Sequence, residues 1–282
     1  MKTVRIIPRL DIKGPNLVKG IHLEGLRVLG KPSDFAKYYY ENGADELLFM
    51  DVVASLYDRN SLHDMISETV ENVFIPITVG GGLRTLEDIK QVLRAGADKV
   101  CINTAAIKNP EIIRNAALRF GSSTIVVAIE AIKNEDGKYY CFTDNGREYT
   151  GIEVVSWVKK VQELGAGEII ITSVDKEGTG KGFDETLINQ ITEFISVPLI
   201  VHGGAGDKNH FKDVIKNCNI DAVSAASIFH YDFIRNRFKE KHTDSEGNFE
   251  FLHSGRSMKT IKSSTIKEIK LFLLENNINV RK

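Results

Sequence analysis

Short apolar, β-branched runs alternate with amphipathic segments along the chain, the second half echoes the first, and 282 residues suit one barrel. These observations predict an α/β fold: a (β/α)8 or TIM barrel with an internal half-barrel repeat. We expect one domain over 1–282, with half-barrels of about 1–122 and 123–282 and an insertion at about 235–263. A doubly wound open sheet is the competing architecture, but it predicts no matched halves.

The first strand is read at about Val4 to Leu10, delivering Asp11 to its end. A polar loop, Gly20 to Lys31, leads to a helix that opens near Pro32-Ser33, buries Phe35, Ala36 and Tyr39, and stops at Gly43. Strand two is Glu46 to Asp51, followed by a helix from about Asn60 to Asn72. Strand three, Pro76 to Val79, runs into Gly80-Gly81-Gly82, and Thr85 with Asp88 starts the next helix as a capping box. Strand four, Lys99 to Asn103, precedes a helix expected to be capped by Asn109, with Pro110 in its first turn.

The order then repeats. Strand five is Ile125 to Ile129 and ends in Glu130, and Lys133 to Tyr149 reads as a hairpin excursion turning at Asp136-Gly137. A helix is expected from Thr150 to Gly165, and strand six is Glu168 to Ser173. Asp184 caps the sixth helix. Strand seven, Pro198 to Val201, ends in His202-Gly203-Gly204-Ala205-Gly206. Asp207 caps the seventh helix, strand eight is Asp221 to Ala225, and a helix from Thr265 to Glu275 closes the chain. Gly80 and Gly203 are separated by the same distance along the chain as Asp98 and Asp221, which is the repeat in its plainest form.

Composition narrows the function. A formal net charge of -1 offers no electrostatic case for nucleic acid or an anionic membrane surface. No apolar stretch approaches the roughly 20 residues needed to span a bilayer. Cys101, Cys141 and Cys218 are odd in number and form no CxxC pair, so a disulfide framework or zinc site is not expected, and a reduced cytoplasmic setting fits. No cofactor and no metal are expected.

In a barrel the strand C-termini and the loops after them form the active face. Asp11, Asp51, Gly80 to Gly82, Asn103, Glu130, Thr172, Glu177, Gly203 to Gly206 and Ser227 all fall there. Glycines after strands three and seven let backbone N–H groups approach an anion, and two such loops across one mouth suggest a ligand with a phosphate at each end. Asp11 and Glu130 then lie between the anion sites, where paired carboxylates suit general acid–base work. The competing reading pairs each with a nearby base such as Arg9, Lys13 or Lys19. Arg9, inside an apolar strand, needs an acid or phosphate partner. On the opposite face, Arg5, Glu46, Lys99 and Glu168 stand at the starts of strands one, two, four and six and could close a ring of alternating charge. His202 suits a phosphate or backbone contact as well as it suits catalysis.

At these residues the chain resembles a known family, the cyclase subunit of imidazole glycerol phosphate synthase. The resemblance covers about 1–232 and 264–281. It is carried by Leu10-Asp11-Ile12-Lys13, Val18-Lys19-Gly20, Asp45-Glu46-Leu47, Val79-Gly80-Gly81-Gly82, Ile102-Asn103-Thr104-Ala105-Ala106, Gly165-Ala166-Gly167-Glu168, Gly203-Gly204-Ala205-Gly206 and Asn279-Val280-Arg281. It implies an enzyme of histidine biosynthesis that takes ammonia from a glutaminase subunit docked at the barrel bottom, forming a heterodimer. The ammonia passes through the lumen to a bisphosphorylated ribonucleotide (PRFAR), giving imidazole glycerol phosphate and AICAR. Asp11 and Glu130 are then the catalytic pair. Lys19, Asp51, Gly81, Gly82, Asn103, Thr104, Thr172, Glu177, Gly178, Gly203, Gly204, Ala226 and Ser227 hold substrate and phosphates. Arg5, Glu46, Lys99 and Glu168 form the ammonia gate, and Asp98 lies at the glutaminase interface.

The chain departs from the family pattern at four places around one pocket. Glu130 and Glu177 stand where Asp is usual, Arg9 where a small residue is usual, and His202 where Ser is usual. These departures suit a paralogue that delivers ammonia to a sugar nucleotide in surface-polysaccharide synthesis. A non-catalytic ammonia-passing scaffold and a sugar-phosphate isomerase of the same barrel type are further alternatives. The first predicts a degraded top face, and the second leaves the bottom ring unexplained.

Overall fold

The computed structural model describes residues 2–54, 63–237 and 260–281. Eight parallel strands close into a barrel. They are β1 (Arg5–Lys13), β4 (Leu47–Asp51), β5 (Ile77–Gly80), β6 (Lys99–Ile102), β7 (Ile125–Lys133), β10 (Glu168–Ser173), β11 (Leu199–His202) and β12 (Ala222–Ala225). Each pairs in parallel with the next, and β12 returns to β1 with Arg5 opposite Ala222. Helices follow the strands: α1 (Pro32–Glu41), α2 (His63–Val70), α3 (Leu86–Arg94), α4 (Thr104–Lys108), α5 (Glu111–Phe120), α6 (Val154–Glu163), α7 (Glu185–Thr192), α8 (Lys208–Asn217), α9 (Ser227–Arg237) and α10 (Ile266–Glu275).

Strand alternation divides the side chains between two cores. Ile6, Leu10, Leu47, Phe49, Val79, Val127, Ile169 and Val201 point outward and pack with the apolar faces of the helices. Ile7, Leu48, Val126, Ala128, Ile170, Ile200 and Ala222 point inward and fill the lumen.

The half-barrel repeat reaches the hydrogen bonds. The Asp98 carboxylate accepts from Ile77 N at 2.8 Å and the Asp221 carboxylate accepts from Leu199 N at 2.8 Å, while each aspartate's own amide donates back to Ile77 O or Leu199 O. Asp45 makes the same exchange with Ile6.

Three sequence expectations change. The stretch read as a polar loop, 20–31, belongs largely to two antiparallel strands, β2 (Asn16–Ile21) and β3 (Glu24–Gly30), laid on β1. The excursion after Glu130 is also a hairpin, β8 (Tyr139–Thr143) and β9 (Glu148–Glu153), so each half inserts one ribbon directly after its acid-bearing strand. Thr150 therefore lies in β9 rather than opening a helix: its hydroxyl donates to Cys141 O at 2.6 Å, and α6 starts at Val154. Asn109 is not the expected cap, because the short helix α4 intervenes and Pro110 occupies the N-cap of α5 without a side-chain bond.

The caps at Thr85, Asp184, Asp207 and Thr265 all form. The expected start of the second helix at Asn60 lies outside the described residues, as does most of the 235–263 insertion. Where the chain resumes, Lys262 N donates to Gly206 O at 2.7 Å and Thr260 Oγ1 to Thr179 O at 3.0 Å, seating the entry to α10 on the second-half loops.

Candidate active site at the barrel mouth

The inward residues of β1, Arg5, Ile7, Arg9 and Asp11, sample the lumen from bottom to top. At the bottom, Arg5 bridges Glu46, at 2.8 Å, and Glu168, while Lys99 bridges the same two carboxylates at 3.0 and 2.8 Å. Two cations and two anions from four strands thus close a ring across the floor, and Thr78 donates its hydroxyl to Glu46. Above it lies the apolar layer around Ile7.

The next layer is charged. Arg9 is 3% exposed, and its Nε donates to Asp11 Oδ1 at 2.7 Å. Its Nη1 lies 3.4 Å from Thr172 Oγ1 on β10, so the guanidinium spans the lumen from the first half to the second. Glu130, where β7 begins to pair with β8, accepts from Gly146 N at 2.8 Å, a bond supplied by the β8–β9 hairpin. Burial pushes its carboxyl up to about 7, with Arg9 the main opposing charge.

On the second-half side, Lys19 on β2 forms a buried ion pair with Glu177 in the loop after β10. Burial alone would raise the Glu177 carboxyl, but Lys19 and His202 outweigh it and hold it below the usual carboxylate range. His202 Nδ1 faces Ser224 O at 3.1 Å, and Nε2 stands 3.7 Å from Glu177. Burial and the Arg9 charge lower its pKa, so the imidazole is neutral and the contact with Glu177 is not a full ion pair. Behind them His230 of α9, pushed down to about 3 by burial and the nearby Lys19 charge, holds its Nδ1 against the Tyr39 hydroxyl.

The glycine loops are backbone-shaped. Gly81 has φ +99°, and a Cβ there would stand 2.3 Å from Asp51 O. Gly203 has φ +102°, and its Cβ would meet Ser173 O at 2.6 Å; at Gly204, φ +106°, it would meet Gly182 O at 2.0 Å. Both loops approach the preceding strand end so closely that only glycine fits. Gly178, φ +73°, is held against Gly20 O in the same way.

A cavity of about 100 Å³ opens on the first-half side. Its lining includes Arg9, Cys101 and Glu130, the backbone-shaped Gly81 and Gly82, Asn103 and Thr104, and Asp51, Arg84, Lys108 and Asn145. Asp51 spends one carboxylate oxygen on the amides of Val53 and Ala54 at 3.0 and 2.9 Å.

Of the residues expected at the site, Asp51, Gly81, Gly82, Asn103, Thr104 and Glu130 therefore share one cavity. Asp11, Lys19, Thr172, Glu177, Gly178, Gly203, Gly204, Ala226 and Ser227 lie outside its lining, although Asp11 and Thr172 touch Arg9. Sequence reasoning passed over Arg84, Lys108, Asn145 and His230. Arg84 stands two residues after the glycine run, which was a usable signal, whereas Asn145 and Gly146 are delivered by a hairpin tip that carries no site motif. Cys101, raised to about 12 by burial, is no nucleophile. Among the described residues no group of three His, Cys, Asp or Glu could hold a metal ion, and no helix is long and apolar enough to cross a membrane.

Comparison with known proteins agrees with this geometry. The family described as "Histidine biosynthesis protein" matches residues 5–235. Imidazole glycerol phosphate synthase subunit HisF of Legionella pneumophila is 56% identical over 211 residues, covering 75% of this chain and 100% of that one. The proteins of the same name from Clostridium botulinum and Methanococcus vannielii are 49% and 47% identical, each match covering 82% of this chain and 92% of theirs. A closed eight-strand barrel with matched halves, together with relatives that this chain spans almost end to end, identifies the family: the chain belongs to the histidine biosynthesis proteins, among the HisF-type cyclase subunits.

Proposed function

We propose that the top of the barrel is the cyclase site of imidazole glycerol phosphate synthase, converting PRFAR and ammonia to imidazole glycerol phosphate and AICAR. The observation that carries this reading is the placement of two carboxylates, Asp11 and Glu130, in one lumen layer between two glycine-shaped loops from opposite halves. The loop at Gly81-Gly82, with Thr104 at the start of α4, suits one phosphate. The loop at Gly203-Gly204, with Ala226 and Ser227 at the start of α9, suits the other. Lys19, Thr172, Glu177 and Gly178 border the second-half side, while Asp51 and Asn103 border the first.

Asp11 and Glu130 exchange protons with the substrate during ammonia addition and ring closure, one accepting while the other donates. Ammonia arrives from below. The Arg5–Glu46–Lys99–Glu168 ring is the gate at the floor, and a glutaminase subunit docks beneath it, near Asp98, to complete a heterodimer in the cytoplasm. The apolar layer around Ile7 suits passage of neutral ammonia and disfavours ammonium.

The test is turnover of PRFAR by the purified chain at high ammonium and alkaline pH, which needs no glutaminase. Asp11→Asn is expected to abolish turnover, and so is Arg9→Gln/Asp11→Asn, which leaves no buried charge unpaired. Full activity in either variant would overturn the assignment. One observation favours a second acceptor: Arg9, Glu130, Glu177 and His202, the four departures from the family pattern, lie in or beside the same lumen layer. Under that reading ammonia goes to a sugar nucleotide. A folded chain that ignores PRFAR in the same assay, and is not rescued by Glu130→Asp, supports it.

A further inference from the structure

We propose that Arg9 is a positioning residue that divides the work of the two carboxylates, holding Asp11 as the charged proton acceptor and leaving Glu130 as the proton carrier that faces the cavity. The inference rests on the cyclase reading of the site and adds to it the assignment of acid and base.

The geometry is unequal on the two sides. Asp11 receives the guanidinium Nε at 2.7 Å within the same strand, in a site where both side chains are almost wholly buried. A guanidinium does not lose its proton, so the pair is a fixed charge pair rather than a proton-sharing one. Leaving either member unpaired at that depth is strongly unfavourable, which keeps the contact closed in the resting protein. Glu130 has no such partner. Among the described residues no lysine or arginine hydrogen-bonds to it, and its bonds come from the Gly146 amide and the Asn103 side chain. It lines the cavity, whereas Asp11 lies outside the lining, across the guanidinium.

The charges around Glu130 divide: on the cavity wall Lys108 stands 4.0 Å from Asp144 and Arg84 donates to Ala54 O, which leaves Asp11 and Arg9 as the opposed pair beside it. The Asp11 charge favours a protonated Glu130, and the Arg9 charge opposes it in part. Lys19 is paired to Glu177, and His202 and His230 are held neutral. Cys101 beneath stays a thiol. Asp51, on the cavity wall, spends a carboxylate oxygen on the amides after β4. With Glu130 protonated the layer holds one cation and one anion, a neutral arrangement that a buried site favours. Arg9 acts through Asp11 and Glu130, and the proton given to the substrate is that of Glu130.

The experiment follows Glu130 directly in the full chain carrying [13C]carboxyl-labelled glutamate. Its resonance is identified by its loss in Glu130→Gln. We expect the wild-type resonance to titrate near 7. Arg9→Gln should raise that midpoint by about one pH unit or more, since removal of a close opposite charge has effects of that size. Arg9→Lys should bring it back toward the wild-type value. Should Arg9→Gln fail to fold, the double variant Arg9→Gln/Asp11→Asn leaves no orphaned charge and should still raise the midpoint, because the Arg9 influence on Glu130 exceeds that of Asp11.

The kinetic counterpart is kcat for PRFAR turnover, divided by free ammonia concentration, against pH. The limb on which Glu130 loses its proton should move upward in Arg9→Gln and return in Arg9→Lys. A purely structural Arg9 would lower activity at every pH and leave the limb in place. A Glu130 midpoint unmoved by Arg9→Gln overturns the proposal. Midpoint shifts as expected, with no turnover of PRFAR in any variant, would instead remove the substrate assignment and leave the division of charge standing.

Discussion

Glu130 and His230 show how single buried groups set the pH response. The folded protein holds the Glu130 proton up to about 7, whereas an unfolded chain releases it near 4.5. The folded state binds more protons across that window, so stability falls as pH rises through it, by on the order of 3 kcal/mol in total. Glu130→Gln should therefore raise the urea midpoint at pH 8 relative to wild type. His230 works in the opposite direction. Its unfolded value is 6.5 and its folded value about 3, so stability rises with pH between them. The two slopes oppose each other between about 4.5 and 6.5, and Glu130→Gln should uncover the rising one. A urea midpoint in Glu130→Gln that is flat or falls across that window would contradict this account.

At the scale of the element, the glycine loops and the hairpins shape the mouth. At Gly204 a methyl group would meet backbone at 2.0 Å under a positive φ, so Gly204→Ala should cost about 2 kcal/mol or more. Gly137 also has positive φ, +82°, but its Cβ would meet open space, so Gly137→Ala should cost only about 1 kcal/mol. Denaturant midpoints for both variants measure the difference, and equal losses would refute the close-approach argument. The hairpins were only half legible. Alternation and Asp136-Gly137 announced the turn from β7 into β8, whereas the β2–β3 hairpin carries its turn at His22 and Leu23, both at positive φ, without the usual turn residues. The helix expected from Thr150 failed for a related reason: ribbon pairing to β8 outweighs the local helical pattern.

At the scale of the molecule, barrel closure depends on contacts between the ends of the chain. Val4 bridges Val280, and Lys270 of α10 reaches Asp45 at 2.7 Å in a buried pair. The Asp45 carboxylate also accepts from Ile6 N, so it joins β1, the start of β4 and the last helix. Lys270→Met should cost about 3 to 5 kcal/mol by stranding that carboxylate, and adding Asp45→Asn should recover part of the loss. A double variant no more stable than the single one, in urea denaturation, would show that packing rather than charge carries the closure. The four-residue ring at this same end makes a cross-barrel closure of the same kind from residues far apart in sequence.

Much of this protein was legible from the sequence, because its decisive signals are local and periodic. Apolar runs of strand length, the capping box at Thr85, and glycines after β5 and β11 need no partner to be read. Strand alternation alone put Arg5, Arg9 and Asp11 on one face. What the order of residues could not supply was which of several partners each charged group takes. Arg9, Lys13 and Lys19 were candidates for Asp11; the extended β1 sets Arg9 against it two residues away, and the closed barrel sends Lys19 to Glu177. Nor could sequence show that a hairpin amide, Gly146 N, would be the donor to Glu130. Fold class and the strand-end placement of the two acids are one-dimensional properties of this chain. The enclosed, low-dielectric lumen that makes the Arg9–Asp11 pair decisive, and the Lys19–Glu177 pair itself, exist only once strands far apart in sequence close on one another.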